Sequence, residues 1–363
     1  MYEVFLGLKA GNRKLSGNRL IDFAGRRNDM PANASGRIAF MESNRSETAN
    51  HDRRTKQSFQ IVFAIVALLV IPAALTLRRV AQPGTLRIDS ENPTPLGYTV
   101  SLLLFLVPIA ALAWWFARRS DLQFPRKSFW RTIAVLAPVG FALDLLFGNA
   151  FFTFPNTGAT LGINVPGIGG PIPVEEFLFY LTGFMIVLLS YIWADEYWVR
   201  AYNVPDYAAA AKGIPRLVRF HLPSVLLGVT LIAAAAIYKK VFSGLPAGFP
   251  WYFTYLVAAS LVPSTGFFYT TRPFINWRAF SFTFFMILLI SLLWEVTLGV
   301  PYGWWGYRPE TMMGLDIGAW SNLPVEAVCV WLAVSFTTVI VYEVIKIWQV
   351  LGTRALEAFF GIR

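Results

Sequence analysis

Eight apolar runs of near-uniform length decide what this chain can fold into. They lie roughly over residues 58–77, 97–117, 130–149, 174–194, 222–242, 251–270, 279–299 and 324–349. Each is long enough for a helix to cross a hydrocarbon core about 30 Å thick. Backbone in lipid must satisfy its own hydrogen bonds, which leaves helices as the expected form. The expected fold class is an all-α polytopic membrane protein with about eight transmembrane helices. Composition agrees, since only 14% of the 363 residues are charged and 56% are hydrophobic. A soluble chain carries about 25% charged residues.

The net charge of +10 does not point to nucleic acid. The basic residues sit in loops and tails, where cytoplasmic membrane loops need them. Arg118, Arg119, Arg126, Lys127 and Arg131 mark one such loop, and Arg200, Lys212, Arg216 and Arg219 another. The segment 150–173 has no charge at all. The expected topology is multi-pass in the cell (inner) membrane, both termini cytoplasmic. Lys239 and Lys240, at an outer helix end, are expected to snorkel to the interface. Glu343 and Asp195 read as ordinary interfacial residues, and Arg308, Glu310 and Asp316 as solvated loop charges.

A single cysteine, Cys329, excludes an internal disulfide and a cysteine metal site. His51 and His221 lie outside the apolar runs, against a histidine-rich metal centre. No GxGxxG or GxxxxGK[ST] appears, against dinucleotide or nucleotide binding.

An internal repeat is visible at a shift of 151 positions, where Asp144 falls on Glu295, Gly148 on Gly299, Phe154 on Trp305, Pro173 on Pro324 and Glu175 on Glu326. Four crossings per period make the copies parallel. The expected domains are a disordered basic cytoplasmic tail over 1–57, a first membrane repeat over 58–196, and a cytoplasmic linker over 197–221. A second repeat over 222–349 and a tail over 350–363 complete the chain. Met30 and Met41 are alternative starts within the first tail.

The acids are the anomaly in this apolar chain. Glu175 and Glu176 open the fourth run behind Pro173, and Glu326 opens the last behind Pro324. Asp144 and Glu295 lie inside the preceding runs. Consecutive helices run in opposite directions, so these five acids are expected in one leaflet, around one cavity between the halves. The glycine- and aromatic-rich segments 148–173 and 299–323 are expected to cap it. A carboxyl in apolar surroundings favours its protonated form and can act as an acid, with an ionised neighbour as base. Aromatic faces stabilise a cation by about 0.5–2 kcal/mol each. That set suits proton-initiated chemistry on an apolar alkene. A second reading stays open. Pro followed by Glu in a first helical turn is an ordinary helix start. Asp144 and Glu295, taken singly, read equally as packing acids bonded to Asn149, Trp294 or another helix. Boundary Trp and Tyr also form interface belts.

Two tandem sets of spans, each with an intramembrane acid, a Gly/aromatic loop and a helix opening Pro-x-Glu-Glu, resemble the membrane-integral carotenoid (lycopene) cyclases in their fused tandem-domain form. The resemblance covers about 97–196 and 250–349. Pro173-Val174-Glu175-Glu176-Phe177 carries it best. Pro324-Val325-Glu326-Ala327 keeps the first acid and loses the second, and Trp294-Glu295 looks like the family's aromatic–acid pair. The resemblance implies a cofactor-independent isomerisation of a linear carotenoid end by protonation, ring closure and deprotonation. It implies Glu175 and Glu176 as the acid/base pair and Glu326 as a second acid or base, with Asp144 and Glu295 tuning them. Phe154, Trp294, Trp304, Trp305, Phe179 and Tyr180 would line the substrate's path. It implies a lycopene-like substrate, lipid surroundings, and association with other carotenoid-pathway enzymes. Rival readings are a carotenoid hydratase using the same cation, and a non-enzymatic carotenoid or lipid binder or transporter. An intramembrane prenyltransferase needs Asp-rich magnesium motifs, and no DDxxD or DxxxD adjoins a span.

Overall fold

The computed structural model describes residues 94–119, 124–317 and 323–362. The expected tail over 1–57 and the first expected span, 58–77, lie outside the described residues. So does Trp320.

The chain is mostly helical. The helices are α1 (Gly97–Arg118), α2 (Arg126–Phe151), α3 (Val174–Trp193), α4 (Tyr207–Lys212), α5 (Leu222–Val241), α6 (Trp251–Thr271), α7 (Trp277–Trp294), α8 (Glu326–Leu351) and α9 (Ala355–Phe360). Single π-helical turns, Ala194–Trp198 and Glu295–Gly299, extend α3 and α7. Six of these helices, α1, α2, α3, α5, α7 and α8, are long and apolar enough to cross a membrane. The expected span over 251–270 is present as α6, but Thr254, Ser260, Ser264 and Thr265 dilute its apolar character. It packs along α8 and α5.

The long helices surround a core in which α3 and α8 are central. Helix α3 touches α1, α2, α7 and α8, and α8 also touches α2, α6 and α7. Their central place explains why α3 buries twice the share of its apolar window that α2 does, 67% against 33%. Small residues permit the approach: the Trp331 ring of α8 lies 3.7 Å from where a side chain on Gly183 of α3 would begin.

Among the described residues, four short strands lie between the helices. Strands β2 (Asn164–Gly167) and β3 (Gly170–Pro173) form a hairpin directly ahead of α3. Gly169 at φ +87° and Gly170 at φ +149° make its turn, a backbone shape that L side chains rarely adopt. Strands β1 (Phe152–Thr153) and β4 (Gly306–Tyr307) pair antiparallel, Phe152 with Tyr307 and Thr153 with Gly306. The two loops expected to cap the acids are thus joined to each other.

A candidate acid site

The hairpin ends on Pro173, whose extended backbone (φ −62°, ψ 143°) turns directly into α3. Glu175 and Glu176 therefore fall in its first turn, and both are buried. A first-turn acid in water would meet only the helix dipole. Here each has specific partners. Oε1 of Glu175 accepts from the Leu161 backbone N–H at 2.7 Å and the Thr99 hydroxyl at 2.6 Å. Oε2 of Glu176 accepts from the Tyr98 hydroxyl at 2.5 Å.

Glu326 is fully buried at the head of α8, and its Oε1 accepts from the Met313 backbone N–H at 2.6 Å. Glu175 and Glu326 thus do the same thing: each pins the loop that precedes its own helix.

Glu295 opens the π turn after α7, a local distortion common at functional sites. Its carboxylate accepts from the Ser291 hydroxyl at 2.8 Å and from the Tyr307 hydroxyl. Burial and the nearby Glu295 push the Tyr307 phenol well above its ordinary value, so it stays a donor. Asp144 is buried on α2, and among the described residues neither of its oxygens finds a hydrogen-bond partner. Gly148, one turn on, makes room: a Cβ there would stand 2.6 Å from Oδ1 of Asp144. Asp144, Glu175 and Glu295 all lie within electrostatic reach of Glu176. Glu326 stands apart. Its charged neighbours are Asp316, whose carboxyl burial raises above its ordinary value, and Lys239.

Three of the five acids named from the sequence, Asp144, Glu175 and Glu295, therefore gather around a fourth, Glu176, and Glu326 lies in a separate pocket of charge. The expected packing bonds differ in detail. Asn149 donates to the Gly170 carbonyl at 2.8 Å, not to Asp144. The Trp294 indole N–H has no partner among the described residues.

Aromatic rings wall the cluster. Tyr98 lies 5.2 Å from Trp305, 6.0 Å from Trp294 and 6.4 Å from Trp304, ring centre to ring centre. Trp294 and Trp305 are 4.4 Å apart, and Phe179 is 5.1 Å from Trp294. Tyr180 adjoins Phe179 at 5.9 Å and lies in the field of Asp144. Phe154 packs at the edge of this core, beside the β1–β4 ladder. A slot of about 10 Å³, room for roughly one water, lies between Phe179, Tyr180 and Gly183 of α3 and Val330, Trp331 and Val334 of α8.

Sequence reasoning missed the phenols. Tyr98 and Tyr307 hold two of the acids, and Tyr252 lies in the fields of Glu295, Glu326 and Glu176. Tyr98 stands 78 positions from Glu176, and only the fold brings the two together.

Four charged residues also differ from expectation. Lys239 does not snorkel. It is fully buried, and its ammonium donates to the carbonyls of Met312 (2.5 Å), Glu310 (2.9 Å) and Pro309 (3.3 Å). Glu343 and Asp195 are not interfacial but buried. Glu343 accepts from Tyr191 at 3.1 Å and Tyr207 at 2.8 Å, while Asp195 pairs with Lys346 at 3.7 Å. Arg308 is not free in solvent either, since its Nε donates to the Asn149 carbonyl at 2.7 Å. Among the described residues no group of His, Cys, Asp and Glu has the makings of a metal site.

Comparison with protein-family models, with curated proteins and with solved structures finds no match for this chain.

Proposed function

We propose that the chain is a cofactor-independent carotenoid cyclase acting on the linear ends of lycopene or a related acyclic carotenoid. The observation that carries the reading is the Tyr98–Glu176 pair: a buried carboxyl, hydrogen-bonded to a phenol, whose other side faces Trp294, Trp304 and Trp305. The sequence resemblance points the same way.

Glu176 delivers a proton to the terminal double bond of the linear end, leaving a tertiary cation. The internal double bond attacks that cation and closes the ring. Trp294 and Trp305 face the charge while it lasts. A carboxylate then removes a proton from the ring, and the mass is unchanged. Asp144, with both oxygens free of donors among the described residues, is the group best placed to accept it. Glu175 and Glu326 hold their loops, and Glu295 orients Tyr307.

The reading includes a two-repeat architecture. Helices α2 and α7 begin 151 positions apart (277 − 126), and α3 and α8 begin at 174 and 326. Tyr191 and Tyr342, equivalent at that shift, have ring centres 6.0 Å apart. Asp195 and Lys346, also equivalent, form an ion pair. These contacts suit a pseudo-twofold axis running between α3 and α8.

The test is expression in a lycopene-accumulating bacterium, with pigments separated by chromatography. Cyclised carotenoid from the wild type, lost in Glu176→Gln, is the expected result. Lycopene alone, from protein shown to be folded in the membrane, rejects the activity. A product heavier by one water would instead identify a hydratase.

A further inference from the structure

One face of α8 carries a file of polar groups that the acid site does not use. Trp331, Ser335, Thr338, Tyr342, Lys346 and Gln349 fall within about 80° of arc and along about 27 Å of helix at ordinary α-helical geometry. The first four are at most 2% exposed. Among the described residues, Oγ of Ser335, Oγ1 of Thr338, the Tyr342 hydroxyl and Nε2 of Gln349 all lack a hydrogen-bond partner.

Chance does not explain the pattern well. Helical Ser and Thr usually bond back to the carbonyl four residues earlier. In this chain Thr132, Ser260, Thr265, Thr271 and Ser281 do so. Ser335 and Thr338 do not, and Thr283 on the adjoining α7 is likewise buried and unpartnered. Buried polar atoms in native proteins find partners, often ordered water.

Both ends of the file reach ionisable groups. At one end Trp331 adjoins Glu295, and its ring lines the water-sized slot beside Phe179 and Tyr180. At the other, Lys346 pairs with Asp195 and Glu196, and Glu343 sits under Tyr191 and Tyr207. An open cavity of about 450 Å³, lined by Glu196, Arg200, Asn203, Tyr207 and Lys346 among others, brings solvent to that end.

We infer that the α3–α8 seam holds a file of hydrogen-bonded water that conducts protons between the Asp195–Lys346–Glu343 cluster and the carboxyl cluster around Glu176. Each hop passes a proton from one oxygen to the next and leaves every hydroxyl as it was, so no oxidant or reductant takes part. The inference is independent of any carotenoid chemistry.

The test uses the full chain in phosphatidylcholine vesicles containing a trapped pH dye, with potassium and valinomycin to dissipate voltage and no carotenoid present. After an external acid pulse, proton entry faster than in protein-free vesicles is expected. Ser335→Ala combined with Thr338→Val should slow it about tenfold by drying the seam. Tyr342→Phe, which keeps the ring against Tyr191 and removes only the hydroxyl, should slow it as well. Thr265→Ala, off the seam, should leave it unchanged. Entry no faster than in protein-free vesicles, or equal in wild type and Tyr342→Phe, overturns the inference.

Discussion

The Tyr98 hydroxyl donates to Oε2 of Glu176 across 78 positions of sequence, and the Tyr98 ring at the same time faces three tryptophans. One side chain therefore ties the acid to the aromatic wall. Tyr98→Phe keeps the ring and removes the donor. On the proposed cyclase reading, carotenoid conversion should fall roughly tenfold or more, as for loss of an oriented proton-transfer partner. Pigment ratios at equal membrane protein content measure it.

The adjacent glutamates should separate in their effects. Gln at position 175 keeps a carbonyl oxygen that accepts from Leu161 and Thr99, so Glu175→Gln should stay within about tenfold of wild type. Glu176→Gln removes a transferable proton and should cost about 10²–10⁴-fold. Equal losses in a single-turnover pigment assay would contradict this division of labour.

Gly299 admits Trp305 to the cluster. A Cβ at that position would lie 2.0–2.6 Å from three atoms of the indole. Gly299→Ala should therefore push Trp305 away from Trp294 and destabilise the protein by about 1–3 kcal/mol, the usual cost of overpacking. Thermal unfolding in detergent reads the stability, and a red shift of tryptophan emission reads the displacement.

Lys239 binds three carbonyls of the loop that also supplies Tyr307 to Glu295 and Met313 to Glu326. Lys239→Met strands those carbonyls and should destabilise by roughly 3 kcal/mol, at about 1 kcal/mol or more for each lost partner. Hydrogen exchange across 306–316 should accelerate, while the Leu161 amide on Glu175 stays protected.

His221 gives a pH signature away from the acids. Its Nδ1 sits 2.8 Å from the Ser224 hydroxyl, which in turn contacts Ser264 on α6. Burial, then Arg272, lowers its pKa from the ordinary 6.5. The unfolded chain thus binds this proton more readily than the folded one. His221 contributes stability above pH 6.5 that is lost as pH falls through the gap toward the folded value. A melting-temperature profile should decline over that range in wild type and flatten in His221→Asn.

How much of this was legible beforehand depends on the kind of signal. Apolar runs fixed the long helices to within a few residues, as at 174–194 against Val174–Trp193. The run at 251–270 showed a helix, but its hydroxyls and phenols left it short of the apolar character expected of a span. Asp144, Glu175, Glu176 and Glu295 were conspicuous because an acid in an apolar run is expensive. What holds them was not. Tyr98 and Tyr307 look like any boundary aromatic, and their roles depend on contacts made across the fold. Lys239 was misjudged for a related reason: local sequence shows a helix end, whereas the carbonyl cage comes from residues 309–312, some 70 positions on.

The ladder of Phe152 with Tyr307 and Thr153 with Gly306 joins segments that precede α3 and α8. Raising either cap pulls on the other through these two pairs. Lifting the segment before α3 draws on Tyr307, and Tyr307 grips Glu295. Admission of a bulky guest at either acid would be felt at the other as a tug on a shared hinge. A chain cut between Tyr207 and His221 would leave two pieces with this stitch still between them.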